Sequence, residues 1–102
     1  MSYSRKIAPT HPGEILDEEF LKPLNITKYR LAKDIHVPAQ RVGDIVNGKR
    51  AISADTALRL ARYFNMSKEF WMGLQMQYDI EVAEDKLSRQ IAKEVHPYHE
   101  AA

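Results

Sequence analysis

Residues 27–48 constrain the fold more than any other part of the chain, because they contain two short helix patterns separated by a tight turn. Thr27 is a typical N-cap residue for the first helix. Its inward-facing positions are Leu31, Ala32 and Ile35. Pro38 suits the first position of a second helix, since the N–H that it lacks would be unpaired there. Gly48 is typical of a helix end. The segment predicts two helices joined by a short connection.

The second helix of this pair has two different faces. Its inner face carries Val42, Ile45 and Val46, which would pack against a core. Its outer face carries short or polar side chains, namely Ala39, Gln40, Gly43, Asp44 and Asn47. A helix with an apolar back and a small, polar front can enter the major groove of DNA. The pattern therefore predicts a DNA-binding helix-turn-helix unit.

Candidate DNA contacts fall into two groups. Base readout is assigned to Ala39, Gln40, Arg41 and Asp44, because an amide can pair with adenine, a guanidinium with guanine and a carboxylate with cytosine. Phosphate contacts are assigned to Thr27, Lys28, Gly43, Asn47, Lys49 and Arg50. Each base-reading candidate alone is equally well explained as a solvent-exposed helix position, and only the set favours DNA binding. The alternative for the phosphate candidates is a solvated basic loop.

The charge distribution supports the same segment. The formal net charge is only +1, but residues 22–50 contain seven Lys or Arg against two Asp, whereas residues 1–21 and 79–102 are net acidic. Clustered positive charge is what a polyanionic partner requires. The alternative is a solvated basic surface with no partner.

The remaining periodicity predicts an all-α protein of five or six helices that forms a single domain over residues 1–102. The first helix opens at Thr10 or His11 and ends at Pro23, and Ser53 and Ser67 cap two later helices. We expect a core at about residues 10–78, a separate C-terminal helix over 79–95 and a flexible tail at 96–102.

Aromatic and methionine residues cluster between positions 70 and 78. The simpler interpretation is core packing. The alternative is that part of the cluster forms a dimer interface, because this helix is apolar around more of its circumference than a small monomer needs. The candidate interface residues are Phe70, Trp71, Leu74 and Tyr78.

Several segments, taken together, resemble the HigA/VapI antitoxin family. They are HPGEIL at residues 11–16, LAK at 31–33, RVGDIVNGKR at 41–50, ISADTALRLAR at 52–62 and FWMGLQMQYD at 70–79. The resemblance covers about residues 5–85. It implies a lambda-repressor-like helix-turn-helix domain and a homodimer that represses its own toxin–antitoxin operon. It also implies a toxin partner of the HigB type, a ribosome-dependent mRNA endonuclease. One departure is His36, at a turn position that is usually glycine.

Other classes of function have little support. The chain contains no cysteine, which removes disulfides and thiolate metal sites. Acidic residues at 14–19 are better explained as complements of a helix dipole than as catalysts, and two histidines at 96 and 99 lack a third ligand. We therefore expect no enzyme activity, cofactor or metal, and a cytoplasmic location. A stand-alone regulator, or a toxin-sequestering module without a DNA role, remains the alternative.

Overall fold

The computed structural model describes residues 8–99, and within that range the chain forms five helices and no strand. Helix α1 has three consecutive parts, Pro12–Ile15, a π-helical turn Leu16–Leu21, and Lys22–Leu24. The other helices are α2 (Lys28–Ile35), α3 (Ala39–Val46), α4 (Ala54–Phe64) and α5 (Lys68–Glu94). The predicted all-α helix-turn-helix fold is confirmed.

Helix α1 begins as predicted but continues further. The His11 Nδ1 accepts a hydrogen bond from the Gly13 N–H at 2.9 Å, so His11 is the N-cap. The helix does not end at Pro23, because the wider π turn precedes it, with the Lys22 N–H donating to the Asp17 carbonyl. That turn shifts the hydrogen-bond register where a proline would otherwise clash. Asn25, in the left-handed conformation (φ 55°), ends the helix.

The core is formed by apolar residues from all five helices. The largest buried side chain is Trp71 on α5, which is 0% exposed and packs against Phe20, Phe64 and Phe70. The buried hydrophobic residues are Leu16, Leu21, Leu31, Ala32, Ile35, Val42, Ile45, Ile52, Ala57, Leu60 and Trp71. Because Val42 and Ile45 belong to this set, α3 is fixed to the core along its inner face.

The start of α1 also lies directly against the end of α3. A Cβ atom added to Gly13 would lie 1.7 Å from the Ile45 carbonyl oxygen, so no other residue fits at this position without a backbone shift. The same carbonyl accepts a hydrogen bond from the Gly48 N–H at 3.0 Å. The position of α3 is therefore fixed by backbone contact as well as by side-chain packing.

Helix α5 is a single helix of 27 residues, and the prediction of a separate helix beginning near Ile80 was wrong. Residues 79–94 contain no Gly or Pro, so nothing interrupts the helix before His96 and Pro97. Residues 83–99 are all exposed, and the predicted flexible tail at 96–102 lies partly outside the described residues. Within residues 8–99, no helix combines the length and hydropathy needed to span a bilayer.

Candidate nucleic-acid interface

Helices α2 and α3 form the predicted helix-turn-helix pair. The turn between them contains His36 with φ 61° and ψ 50°, and the Val37 N–H donates to the Ala32 carbonyl at 3.0 Å. A left-handed backbone costs a non-glycine residue about 1–2 kcal/mol, so the histidine does not prevent the turn but makes it less favourable. Pro38 is the N-cap of α3 and not its first helical residue, because its ψ of 142° is extended.

The outer face of α3 is open. Ala39, Gln40 and Asn47 are exposed, and Gly43 and Asp44 are half-buried. A Cβ atom added to Gly43 would meet no other part of the described chain within 4 Å, so no other element covers the helix at this position. The candidate base readers Gln40 and Ala39 are therefore accessible to a ligand. We call α3 the recognition helix below.

Four of the candidate phosphate contacts lie outside α3, at the start of α2 and in the loop after α3. Thr27 caps α2, with its Oγ1 accepting from the Arg30 N–H at 3.0 Å, and Lys28 is exposed in the next position. Lys49 and Arg50 are exposed in the loop after α3. The loop is held in shape because the Lys49 N–H donates to the Asp44 carbonyl at 2.8 Å. Exposed cations therefore lie on the helix before the recognition helix and in the loop after it.

Intramolecular ion pairs neutralise part of the basic segment. Lys22 pairs with Asp17 and Glu18, at 3.7 and 2.6 Å, and Arg30 pairs with Asp34 at 3.3 Å. The cations of this segment that form no ion pair with any residue of 8–99 are Lys28, Lys33, Lys49 and Arg50. The formal positive charge of residues 22–50 is therefore larger than the positive charge that remains unpaired for a partner.

Asp34, near the end of α2, does not carry an isolated negative charge. The Tyr63 hydroxyl donates to its carboxylate at 2.5 Å. This hydrogen bond, assisted by Arg30, holds the pKa of Asp34 below its ordinary value and raises the pKa of the Tyr63 hydroxyl. The Asp34 carboxylate is therefore already paired with Arg30 of α2 and Tyr63 of α4.

Arg41 differs from the other candidate base readers, because the structure holds it against the protein. Its Nη1 lies 3.1 Å from Asp55 Oδ2, and its side chain is 26% exposed. Its Nε is buried and has no hydrogen-bond partner within the described part of the chain. Asp55 also accepts from the Nε of Arg59, at 3.2 and 3.1 Å, and the Nη1 of Arg59 donates to the Ile35 carbonyl at 2.9 Å. Sequence reasoning missed Asp55 and Arg59.

A third missed residue, Gln75, fixes the loop between α3 and α4. It is 5% exposed, its Oε1 accepts from the Ile52 N–H at 2.8 Å, and its Nε2 donates to Asp79 Oδ1 at 2.9 Å. The only sequence signal was a polar residue one turn after Trp71, on a buried helix face. This contact ties the loop that carries Lys49 and Arg50 to α5.

His11, the N-cap of α1, packs against α5. Its ring lies edge-on to Tyr78, with centroids 4.8 Å apart and an interplanar angle of 69°. Partial burial lowers the pKa of the His11 imidazole, while the charge of Asp79 opposes that shift. The neutral ring is required here, because Nδ1 must accept the Gly13 N–H.

The candidate dimer interface requires correction. Trp71 is completely buried within the subunit, so it cannot contact a partner, and Phe70 and Leu74 are partly buried against the same core. Tyr78 is half-buried beside His11. The exposed members of the cluster are instead Met72 and Met76, at 38% and 60%. The prediction was wrong for Trp71, because periodicity did not distinguish the side of α5 that faces the core from the opposite side. For Phe70, Leu74 and Tyr78 it stays a prediction.

These features define a helix-turn-helix domain with an accessible recognition helix and with exposed cations on the flanking segments. In residues 8–99, no group of three His, Asp or Glu side chains is placed to hold a metal ion. The sequence profile of the helix-turn-helix family matches residues 18–71.

Similar proteins of known family identify which helix-turn-helix proteins this chain is related to. The chain is 51% identical over 79 residues to virulence-associated protein I of Dichelobacter nodosus, covering 76% of this chain and 73% of that protein. An addiction module antidote protein of the HigA family from Coxiella burnetii has a TM-score of 0.86 and 49% identity, over 90% of this chain and 100% of the other. The Pseudomonas aeruginosa antitoxin HigA, solved with the higBA promoter, has a TM-score of 0.86 and 46% identity, over 89% and 99%. The chain belongs to the HigA family of helix-turn-helix proteins, as the sequence resemblance predicted.

Proposed function

We propose that this protein is a sequence-specific DNA-binding antitoxin that represses its own operon. The observation that carries the proposal is the open outer face of α3, with Gln40 exposed and Val42 and Ile45 buried behind it. The relationship to an antitoxin solved with promoter DNA supports it. We further infer that the protein acts in the cytoplasm and has no enzymatic role of its own.

Within this proposal, Gln40 is the principal base reader, and Ala39 and Asp44 are secondary. An exposed amide in the first turn of a recognition helix can pair with adenine, and a methyl side chain can contact thymine. The positioning contacts to phosphate come from Thr27, Lys28, Gly43, Asn47, Lys49 and Arg50. Phosphate contacts supply most of the affinity, and the amide supplies most of the sequence preference.

The protein is proposed to bind DNA as a two-fold dimer. Exposed apolar residues lie on one face of α5, four or seven positions apart, and they are Met72, Met76, Ile80, Leu87 and Ile91. A contiguous apolar face on a projecting helix is typical of a protein interface. Two-fold pairing predicts a palindromic site with half-sites about 34 Å apart.

The toxin partner is proposed to be a basic ribonuclease of the HigB type. The outer part of α5 is net acidic, as a basic partner would require, because residues 79–94 contain five Asp or Glu against three Lys or Arg. An antitoxin that both represses and neutralises needs separate surfaces for the two tasks. Co-expression with the product of the adjacent reading frame, followed by co-purification in high salt, tests this part of the proposal.

Selection of duplexes from a random-sequence DNA pool by the full chain tests DNA recognition. We expect enrichment of one palindromic sequence, and a footprint of two protected segments one helical turn apart on the same face of the duplex. Recovery of unselected sequences, together with tight binding of the toxin, would instead favour a toxin-sequestering module without a DNA role.

A further inference from the structure

We propose that Asp55 is an intramolecular competitor that holds Arg41 away from DNA and is displaced when DNA binds. The inference rests on the proposed DNA-binding function and adds the regulation of one contact. The pair joins the first turn of the recognition helix to the first turn of α4, with Arg41 Nη1 at 3.1 Å from Asp55 Oδ2. Arg41 thus has an acceptor inside the protein before any DNA is present.

The arrangement favours release of Arg41 over permanent pairing. Asp55 keeps a second partner when Arg41 leaves, because Arg59 Nε lies 3.2 and 3.1 Å from its two carboxylate oxygens. Arg59 is itself fixed to the end of α2, donating to the Ile35 and His36 carbonyls at 2.9 and 3.4 Å. The carboxylate therefore stays in place and stays paired after the exchange.

Arg41 is held in a position that is unfavourable for its own side chain. Its Nε is buried and has no hydrogen-bond partner among residues 8–99, and an unpaired buried donor is destabilising. Outward rotation would return this N–H to water or bring it to a DNA acceptor. The ion pair with Asp55 opposes this rotation. Because the Asp55 side chain is 56% exposed, solvent and salt weaken the pair.

This geometry predicts how Arg41 behaves on different DNA. A phosphate or guanine must compete with the Asp55 carboxylate, which already contacts Arg41. Arg41 therefore binds DNA only where the DNA acceptor interacts with it more strongly than Asp55 does. On bulk DNA the ion pair persists and the protein makes one phosphate contact fewer. The protein consequently binds bulk DNA more weakly than its cation content would suggest.

The test is Asp55→Asn, which preserves shape and removes the charge. On the non-specific polymer poly(dI-dC) at 0.1 M salt, we expect about five- to tenfold tighter binding and a salt slope steeper by about 0.9, the value for one additional phosphate contact. On the selected operator, we expect tightening by at least the same factor, because only the wild-type protein must break the ion pair there. Glu84→Gln, which removes one charge from the outer half of α5, should change neither.

A double-mutant cycle separates competition from the general effect of charge. In an Arg41→Gln background, Asp55→Asn should change the Kd less than twofold and leave the salt slope unchanged. An equal effect in both backgrounds would overturn the proposal. Weaker operator binding by Asp55→Asn would also overturn it, since that result means Asp55 supports Arg41 in the complex.

A measurement on the unmodified protein covers the case in which Asp55→Asn does not fold. The Arg41 Nε–H resonance, assigned by its loss in Arg41→Lys, should shift when operator DNA is added to wild-type protein. An unchanged resonance in the bound state would contradict release. Failure of the wild-type protein to select or bind any DNA sequence would contradict the proposed function itself, whereas wild-type binding without an Asp55→Asn effect would contradict only this inference.

Discussion

Gly13 illustrates how a single residue fixes the recognition helix. Its substitution by alanine would place a Cβ atom 1.7 Å from the Ile45 carbonyl oxygen, 2.5 Å from the carbonyl carbon and 2.9 Å from the Val46 Cα. All three neighbours are backbone atoms, so the conflict cannot be relieved by a side-chain rotation. Sequence periodicity does not reveal this contact, because the contact depends on how α1 and α3 approach each other.

Gly13→Ala should therefore destabilise the protein by about 3 kcal/mol or more, at or beyond the upper end of typical overpacking effects. Gly43→Ala is the matched control, since its Cβ atom would meet nothing within 4 Å and alanine favours a helix by about 0.5–1 kcal/mol. Urea unfolding followed by circular dichroism measures both. Similar stability of the two variants would contradict the close approach of α1 to α3.

Protonation of His11 provides a second test at the level of one residue. Its pKa in the folded protein is lowered from 6.5 by burial, although Asp79 opposes the shift. The unfolded chain therefore binds this proton more readily, so the contribution of His11 to stability is complete above pH 6.5. It is lost as the pH falls through the lower pKa of the folded state.

The expected result is a lower thermal midpoint at pH 5.5 than at pH 7.5. His11→Asn should show a smaller difference between these pH values, because asparagine can cap the helix without titrating in this range. An equal difference in both proteins would assign the pH dependence to other groups.

At the scale of the helices, the sequence predicted the boundaries that depend on local chemistry. Thr27, Ser53 and Ser67 cap α2, α4 and α5 as expected, because each hydroxyl accepts an N–H three residues later. The continuation of α5 was not predicted, since a weak apolar stripe over residues 79–94 was interpreted as a new helix. Strong helix formers maintain the helix there without much core contact.

The candidate DNA interface was also predictable only where it depends on local sequence patterns. Which helix presents its outer face followed from the spacing of apolar residues in α3. That Arg41 is paired did not, because Asp55 lies 14 residues away and meets it only through the packing of α4 against the helix-turn-helix. Contacts of this kind depend on tertiary structure, which local patterns do not contain.

Gln75 links two elements and allows a prediction at this scale. Gln75→Leu should destabilise the protein by about 1–3 kcal/mol, because the buried Ile52 N–H would lose its acceptor. Gln77→Leu, on the exposed side of α5, should change stability by less than about 0.5 kcal/mol. Chemical denaturation measures both. Equal effects would mean that Gln75 does not fix the loop.

At the scale of the whole molecule, α5 gives the protein an elongated shape of 60 × 30 × 21 Å. The apolar face of its outer half includes Ile80 and Leu87, which are 49% and 42% exposed. In a monomer these apolar side chains stay exposed to water, which is unfavourable, whereas a dimer would bury them. We therefore expect the double variant Ile80→Glu, Leu87→Glu to sediment as a monomer.

Leu24→Glu is the control for this prediction, because Leu24 is 56% exposed but lies at the end of α1. It should sediment as the wild-type dimer does. A monomeric wild-type protein, or a double variant that remains dimeric, would contradict pairing through this face of α5.

Operator binding by Gln40→Ala and Lys49→Ala is the most direct measurement of whether α3 reads sequence. Gln40→Ala should weaken binding to the selected operator by about 1–3 kcal/mol and leave binding to poly(dI-dC) unchanged. Lys49→Ala should weaken both and reduce the salt slope by about 0.9, since it removes a phosphate contact. Unchanged operator binding by Gln40→Ala would contradict the central claim that the exposed face of α3 selects the DNA sequence.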